Sequence, residues 1–314
     1  MFDNHVHTRH SPDCATEPSD AIAAARAAGL SGIVFTDHWD IGYESFNAGR
    51  FPPAEYARGE LRNYRSAGGA FSVLIGIELG PTPAVRGEAE RAMAGASFDY
   101  VMLSAHYAAA GGAGVTGGAG LPGAAGAGAP DSAAGGAEGA GAAGAAGAGP
   151  AGSAAGDMIY PQCEYGRLFE KYSKSEAYAA YLRTLISLVD AYDCFDALGH
   201  FDYISRYSPY ADPIMRYRDF AGLFDALFGR LVSRGKALEI NTATYRRLGG
   251  APSFDADIVR RYAELGGELL CLGSDAHRAR DVGGQFGEFR DALRACGVKA
   301  LAHFEERKPI MTKL

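Results

Sequence analysis

"MFDNHVHTRHSPDC" (residues 1–14) carries three histidines in six positions, His5, His7 and His10, and then Asp13. A buried imidazole needs partners for both ring nitrogens, so histidine is a poor core filler. In an extended segment residues two apart share a face. A strand over Phe2–Thr8 therefore projects His5 and His7 together, one pleat apart, where both can grip a single divalent metal. The competing reading is a chance cluster or a remnant of a purification tag. Val6, Thr8 and Arg9 interrupt the run, and it flows straight into Ser11-Pro12-Asp13, which does not suit a tag. The stretch poses a pattern to look for elsewhere: an apolar strand whose C-terminal end carries metal-type side chains.

The pattern recurs. After "FDNHVH" (2–7) come "GIVFTDH" (32–38), "FSVLIGIE" (71–78), "DYVMLSAH" (99–106), "CFDALGH" (194–200), "KALEIN" (236–241) and "ELLCLGSDAH" (268–277). Helical patterns lie between them: "TEPSDAIAAARAAG" (16–29), with Thr16 or Ser19 as cap and Gly29 as stop, "PAEYARGELRNYRSAGG" (53–69), Leu168–Ala191, "DFAGLFDALFGRLVSRG" (219–235) and "SFDADIVRRYAELGG" (253–267). Seven strands alternating with helices imply parallel pairing through right-handed crossovers. A closed seven-stranded (β/α)7 barrel related to the TIM barrel fits better than an open doubly wound sheet. His5 and His7, Asp37 and His38, Glu78, His106, His200, Glu239, and Asp275 and His277 each fall at or just past the C-terminal end of a run. That is the face on which barrel active sites are built. Each residue alone has a structural explanation, such as a buried ion pair or a carbonyl partner. All of them on one side of seven strands predict a metal cluster. With His10 counted beside His5 and His7, only His303 of the eight histidines stands apart, and it reads as structural.

The 314 residues are 47% hydrophobic, enough to bury a large core, and the net charge is −7. That charge argues against a nucleic-acid partner, which needs a basic footprint. No apolar run is long enough to span a bilayer, and histidines stand where a signal peptide would be apolar. Five cysteines without CxxC spacing, Cys14, Cys163, Cys194, Cys271 and Cys296, read as reduced thiols of a cytoplasmic protein. From Ala109 to Gly156, 38 of 48 residues are Gly or Ala. Such a segment gains too little apolar area to offset its backbone entropy. It predicts a disordered Gly/Ala-rich insertion in a single domain spanning residues 1–314.

The motifs "DNHVHTRHSPD", "GIVFTDH", "IGIELG", "LSAHY", "DALGHFDYISRY", "LEINTATYRR" and "LGSDAHRARDVG" resemble the polymerase and histidinol phosphatase (PHP) superfamily, on its histidinol-phosphatase branch. The resemblance covers the chain except the insertion and implies a distorted seven-stranded barrel holding up to three metals. It implies that His5, His7, Glu78 and Asp275 hold the first metal, that Glu78, His106 and His200 hold the second, and that Asp13, His38 and His277 hold the third. Such mixed nitrogen and oxygen sets suit zinc, iron or manganese. The implied reaction is hydrolysis of a small-molecule phosphate monoester, L-histidinol phosphate of histidine biosynthesis, with a metal-bridging hydroxide as nucleophile. Arg206 and Arg246 are the expected guanidinium clamp on the phosphoryl group, since both lie just past strand ends. Asp37 is expected to orient a catalytic group or proton, and His10 to contact substrate. "ATYRR" after "EINT", where Ser-Gly-Leu-Arg is common, and the insertion three residues past His106 leave open another PHP phosphoesterase acting on nucleotides or phosphotyrosine. A further alternative is an inactive metal-binding module.

Overall fold

The computed structural model describes residues 1–41, 51–108, 165–248 and 254–314. The Gly/Ala-rich segment 109–156 and Cys163 lie outside them. Eight parallel strands form the main sheet: β1 (Phe2–Val6), β2 (Gly32–Phe35), β3 (His38–Ile41), β4 (Ser72–Pro81), β5 (Tyr100–Leu103), β6 (Ala197–Leu198), β7 (Ala237–Asn241) and β8 (Leu270–Gly273). Their order is β1-β2-β4-β5-β6-β7-β8, with β3 also on β4. The two edges meet just past β8, where the His7 amide donates to the Ala276 carbonyl (3.0 Å) and the Asp275 amide to the His5 carbonyl (2.8 Å). The result is a nearly closed barrel of seven parallel strands, as the repeating pattern predicts.

The run Gly32–His38, expected as one strand, is broken at Thr36-Asp37. Both halves follow β4 in one register, with Gly32 opposite Ser72 and His38 opposite Glu78. The break has a local cause. The Thr36 hydroxyl accepts the Val6 amide (3.1 Å), and the Asp37 carboxylate gathers donors from the loop after β1. The chain then resumes as β3 with His38 beside Glu78.

Around the barrel lie α1 (Pro18–Ala27), α2 (Pro53–Arg58), α3 (Arg86–Ala94), α4 (Tyr165–Lys171), α5 (Lys174–Ala191), α6 (Ala221–Ser233), α7 (Ala243–Arg247), α8 (Ala256–Glu264) and α9 (Phe286–Ala295). Three helix expectations need correction. The N-cap of α1 is Glu17, with Pro18 at the first turn. Thr16 instead donates its hydroxyl to the His277 carbonyl (3.0 Å). The pattern 53–69 ends at Arg58, followed by a 3-10 turn, because Ser66 pairs with Val73 as backbone. The pattern Leu168–Ala191 is two helices, α5 starting afresh at a capping box of Ser173 and Glu176.

One feature of the fold has no counterpart in the sequence reading: a C-terminal hairpin of β9 (Ala300–Glu305) and β10 (Lys308–Lys313). Its two-residue turn has φ +50° at Glu306 and +66° at Arg307, a geometry that usually takes Asn-Gly. Asp99 holds the turn by accepting the Glu306 amide, its carbonyl accepts the Arg307 amide, and Arg307 pairs with Asp196. Ala302 and Phe304 of β9 plug the barrel from below. They join Val34, Leu74, Tyr100, Met102 and Cys271 in the interior, with the Phe304 and Tyr100 rings stacked at 5.3 Å. Fully burying such a side chain contributes about 1.5–3 kcal/mol. The lower barrel interior is therefore largely apolar, and the ligand-type side chains gather at the upper rim. His303 stacks on Phe2 at 3.6 Å, at this lower end and away from the rim.

Candidate metal centre

The upper rim brings together ligand-type residues from across the chain. His5 and His7 alternate along β1 and its end, and their Nε2 atoms lie 3.0 Å apart. Asp275 Oδ1 lies 3.6 Å from His5 Nε2 and 3.3 Å from His7 Nε2. Glu78, on β4, sits among five imidazoles. Its Oε2 faces His38 Nδ1 (2.8 Å), His5 Nε2 (3.4 Å) and His7 Nε2 (3.6 Å), and its Oε1 faces His200 Nε2 (2.8 Å) and His106 Nε2 (3.3 Å). Asp13 Oδ2 lies 3.2 Å from His277 Nε2 and 3.6 Å from His38 Nε2. The three groups implied by the family resemblance are thus each assembled in space. Four sets of three potential donors fall within 4.8 Å of one another, among them His5–His7–Asp275, His5–Glu78–His200 and His7–His38–His277.

The hydrogen bonds behind the imidazoles decide what their front atoms can do. His5 Nδ1 lies 2.8 Å from Glu239 Oε1, His106 Nδ1 lies 2.7 Å from Asp40 Oδ1, and His277 Nδ1 lies 3.2 Å from the Asp275 carbonyl. His7 Nδ1 lies 2.9 Å from Ser11 Oγ. Carboxylates and carbonyls only accept, so His5, His106 and His277 carry their protons on Nδ1. Each then turns Nε2 toward the rim, where a bound metal would displace any proton on it. Glu78 Oε2 and Asp13 Oδ1 are buried there without a hydrogen-bond donor. A cation among these atoms satisfies both. The donor set fits divalent metal, with the outer carboxylates holding ring orientation as they do behind metal-bound histidines.

Charge follows the same arrangement. Burial alone would raise the Glu78 carboxyl, yet His38, His5 and His106 hold it well below the usual carboxylate range. Burial is likewise outweighed at Asp275 by Arg206 and His5, and at Asp13 by His277 and His38. Burial would lower His106, but Asp40 and Glu78 raise it to about 9. His7, buried and facing His277 and His38, is pushed well below its ordinary value.

The backbone is bent to this end. Asp275 has φ +52°, in the left-handed region where non-glycine residues are uncommon. A Cβ at Gly273 would run into Glu239 and His5, and one at Gly80 into Asp40 and His106. Both positions admit only glycine because the carboxylates behind the histidines pass so close.

Three expectations change here. Arg206 is no free clamp, since Nη1 donates to Asp275 Oδ2 (2.6 Å), Nη2 to Asn241 Oδ1 (2.9 Å) and Nε to Thr244 Oγ1 (3.0 Å), while the guanidinium lies 4.8 Å over the Tyr203 ring. Arg246 donates to Thr242 Oγ1 and to the Ser274 carbonyl, both at 2.7 Å, bracing the turn before Asp275. Asp37 has both oxygens filled, by the Thr8 amide (2.6 Å) and hydroxyl (2.8 Å), Ser11 Oγ (2.8 Å) and Tyr56 OH (2.7 Å). His10 stands further out, half-buried, with Nε2 3.5 Å from Glu60. Cys14 touches the region only through its thiol and the His277 carbonyl (3.1 Å). Sequence reasoning missed Asp40 and the support given by Ser11 and Asn241. Asp40 had a usable signal, since it follows His38 by two on β3 and shares its face.

The chain is similar to known proteins in sequence and in fold. Residues 3–118 match the family model described as PHP domain. The chain is 27% identical over 309 residues to a protein of Clostridium acetobutylicum named "Probable histidinol-phosphatase", covering 98% of both. It is 25% identical over 311 residues to the "Histidinol-phosphatase" of Lactococcus lactis, covering 98% of this chain and 95% of the relative. In fold it matches the crystal structure of histidinol phosphate phosphatase from Lactococcus lactis complexed with zinc, L-histidinol and phosphate, with a TM-score of 0.73, 23% identity and 98% of each chain covered. With the barrel, its ring of histidines and these relatives together, the chain resembles the histidinol-phosphatase branch of the PHP superfamily.

Proposed function

We propose that this protein is a metal-dependent phosphate monoester hydrolase acting on L-histidinol phosphate, with residues 1–314 working as one unit. The observation that carries the reading is the set of Nε2 atoms converging on Glu78 and Asp275, 3.0 Å apart at His5 and His7. The names of the full-length relatives support the substrate.

His5, His7, Glu78 and Asp275 would hold one divalent metal, Glu78, His106 and His200 a second, and Asp13, His38 and His277 a third. The mixed nitrogen and oxygen donors suit zinc, iron or manganese. When bound, the metals supply the nucleophile, by bringing the pKa of water toward neutrality, and positive charge for the phosphoryl oxygens. The protein's own work is to keep every donor aimed. Glu239 holds His5 by its Nδ1 proton and anchors the start of the next rim loop by accepting the His200 amide (2.6 Å). Arg206 takes one oxygen of Asp275 and leaves Oδ1 turned to the imidazoles. Arg246 fixes the Ser274 carbonyl and with it the left-handed turn. His10, at the edge, would meet the part of the substrate that projects from the site.

The test is phosphate release from a panel of L-histidinol phosphate, a nucleoside monophosphate, phosphotyrosine and p-nitrophenyl phosphate, by metal-loaded protein. The reading requires the highest kcat/KM on L-histidinol phosphate. Preference for a nucleotide or phosphotyrosine would move the protein to another phosphoesterase specificity, and no turnover of any ester by fully loaded protein would leave a metal-binding module.

A further inference from the structure

Behind His7 stands a hydroxyl with no freedom left. Ser11 Oγ has three neighbours: His7 Nδ1 at 2.9 Å, the His38 backbone amide at 3.0 Å and Asp37 Oδ1 at 2.8 Å. A serine hydroxyl has one proton to give and lone pairs to receive with. The His38 amide can only donate, so it takes one lone pair. Asp37 Oδ1 can only accept in this setting, so it takes the hydroxyl proton. What remains toward His7 is a lone pair, and His7 must meet it with a proton on Nδ1. Asp37 is itself immobile, because the Thr8 amide and hydroxyl and the Tyr56 phenol fill its other positions. The whole group is buried, Ser11 at 3% exposure and His7, Thr8 and Asp37 at 0%, so water does not scramble the choice.

We infer that Ser11, oriented by Asp37, is a positioning residue that locks His7 in the tautomer with Nε2 free to bind metal. The inference rests on the metal-centre reading above and assigns a role to two residues outside the ligand set. His5, His106 and His277 have their Nδ1 protons fixed directly by a carboxylate or a carbonyl. His7 has none within reach and depends on a relay through a hydroxyl. Asp37, expected from sequence to orient a metal-bound group or proton, acts through the Ser11 hydroxyl. The relay also ties two ligands together, because the same oxygen receives the amide of His38.

The experiment uses the full chain, stripped of metal and titrated with zinc against a chromophoric chelator, as wild type, Ser11→Ala and Ser11→Thr. Histidine ring 15N spectra of the metal-free forms report the tautomer, with His7 assigned from its loss in His7→Asn. Loss of outer partners of metal-bound histidines lowers affinity 10–100-fold. Ser11→Ala is expected to weaken the tightest zinc site by that factor and to move His7 toward the Nε2–H form. Ser11→Thr keeps a hydroxyl and is expected to stay near wild type in both readouts. Wild-type affinity and an unchanged Nδ1–H tautomer in Ser11→Ala overturn the inference, as does lost affinity with the tautomer unchanged. A wild type that takes up no zinc fails the metal-centre reading itself, a distinct result.

Discussion

Replacing Arg206 separates two roles that its position allows, holding Asp275 and clamping substrate. The guanidinium is almost wholly buried, with its side chain 3% exposed and Asp275 5% exposed. Arg206→Ala would leave Asp275 Oδ2, Asn241 Oδ1 and Thr244 Oγ1 without their donor and strip the cation from the Tyr203 ring. Removing one member of a buried ion pair costs about 3–5 kcal/mol, because the other charge stays behind. In a chain somewhat above 250 residues each kcal/mol lowers Tm by roughly 2–4 °C. The metal-free variant should therefore melt roughly 6–20 °C below metal-free wild type. With Asp275 free to turn, zinc affinity should fall by about 10–100-fold. Arg206→Lys should recover only part of both, because an ammonium cannot serve three partners in a plane. The assays are calorimetry of stripped protein and zinc titration against a competing chelator. A substrate clamp would behave differently: kcat/KM down by about two to three powers of ten, with Tm and zinc affinity unchanged. That result would refute the positioning role.

Three further outcomes follow from the same geometry. Glu239→Gln should destabilise the protein by about 1–3 kcal/mol and weaken zinc binding, because one amide group cannot accept from both His5 Nδ1 and the His200 amide; unchanged melting and titration curves would count against this. His106 carries its proton up to about pH 9 in the metal-free protein, so metal must displace that proton at neutral pH. Zinc affinity should rise with pH between about 6.5, the ordinary imidazole value, and 9. Adding zinc in weak buffer at pH 7.5 should also acidify the solution by at least about one proton per chain, and a silent pH electrode would contradict the linkage. Replacing residues 109–156 by a short Gly-Ser linker should shift Tm by no more than a few degrees, since loop closure entropy grows only logarithmically; loss of folded protein would assign the segment a structural role.

How far the sequence carried can be seen at particular residues. The barrel was legible because its strands are apolar runs with metal-type side chains at one end, and because parallel strands buried on both faces need no alternation. His5 and His7 announced themselves by their spacing of two. The hairpin at 300–313 was not legible, since its turn uses Glu306 and Arg307 and is stabilised by Asp99, some two hundred positions away. The break at Thr36-Asp37 was hidden for a similar reason, as the loop after β1 supplies the donors that cause it. The arginines show the limit for function. A strand-end Arg can be placed at the rim from sequence, but whether its nitrogens are free depends on Asn241, Thr244 and Asp275 arriving from other strands. Ser11 and Asp40 were missed because a supporting role is defined by a partner's far nitrogen, which no linear pattern reports.

The central claim is that the ring of histidines around Glu78 works only with metal in it. Phosphate release from L-histidinol phosphate by exhaustively chelated protein, with residual metal measured in the same sample, tests this most directly. The account predicts no turnover in the stripped protein and recovery as two to three equivalents of divalent metal per chain are restored. Undiminished turnover in a verified metal-free sample would contradict it.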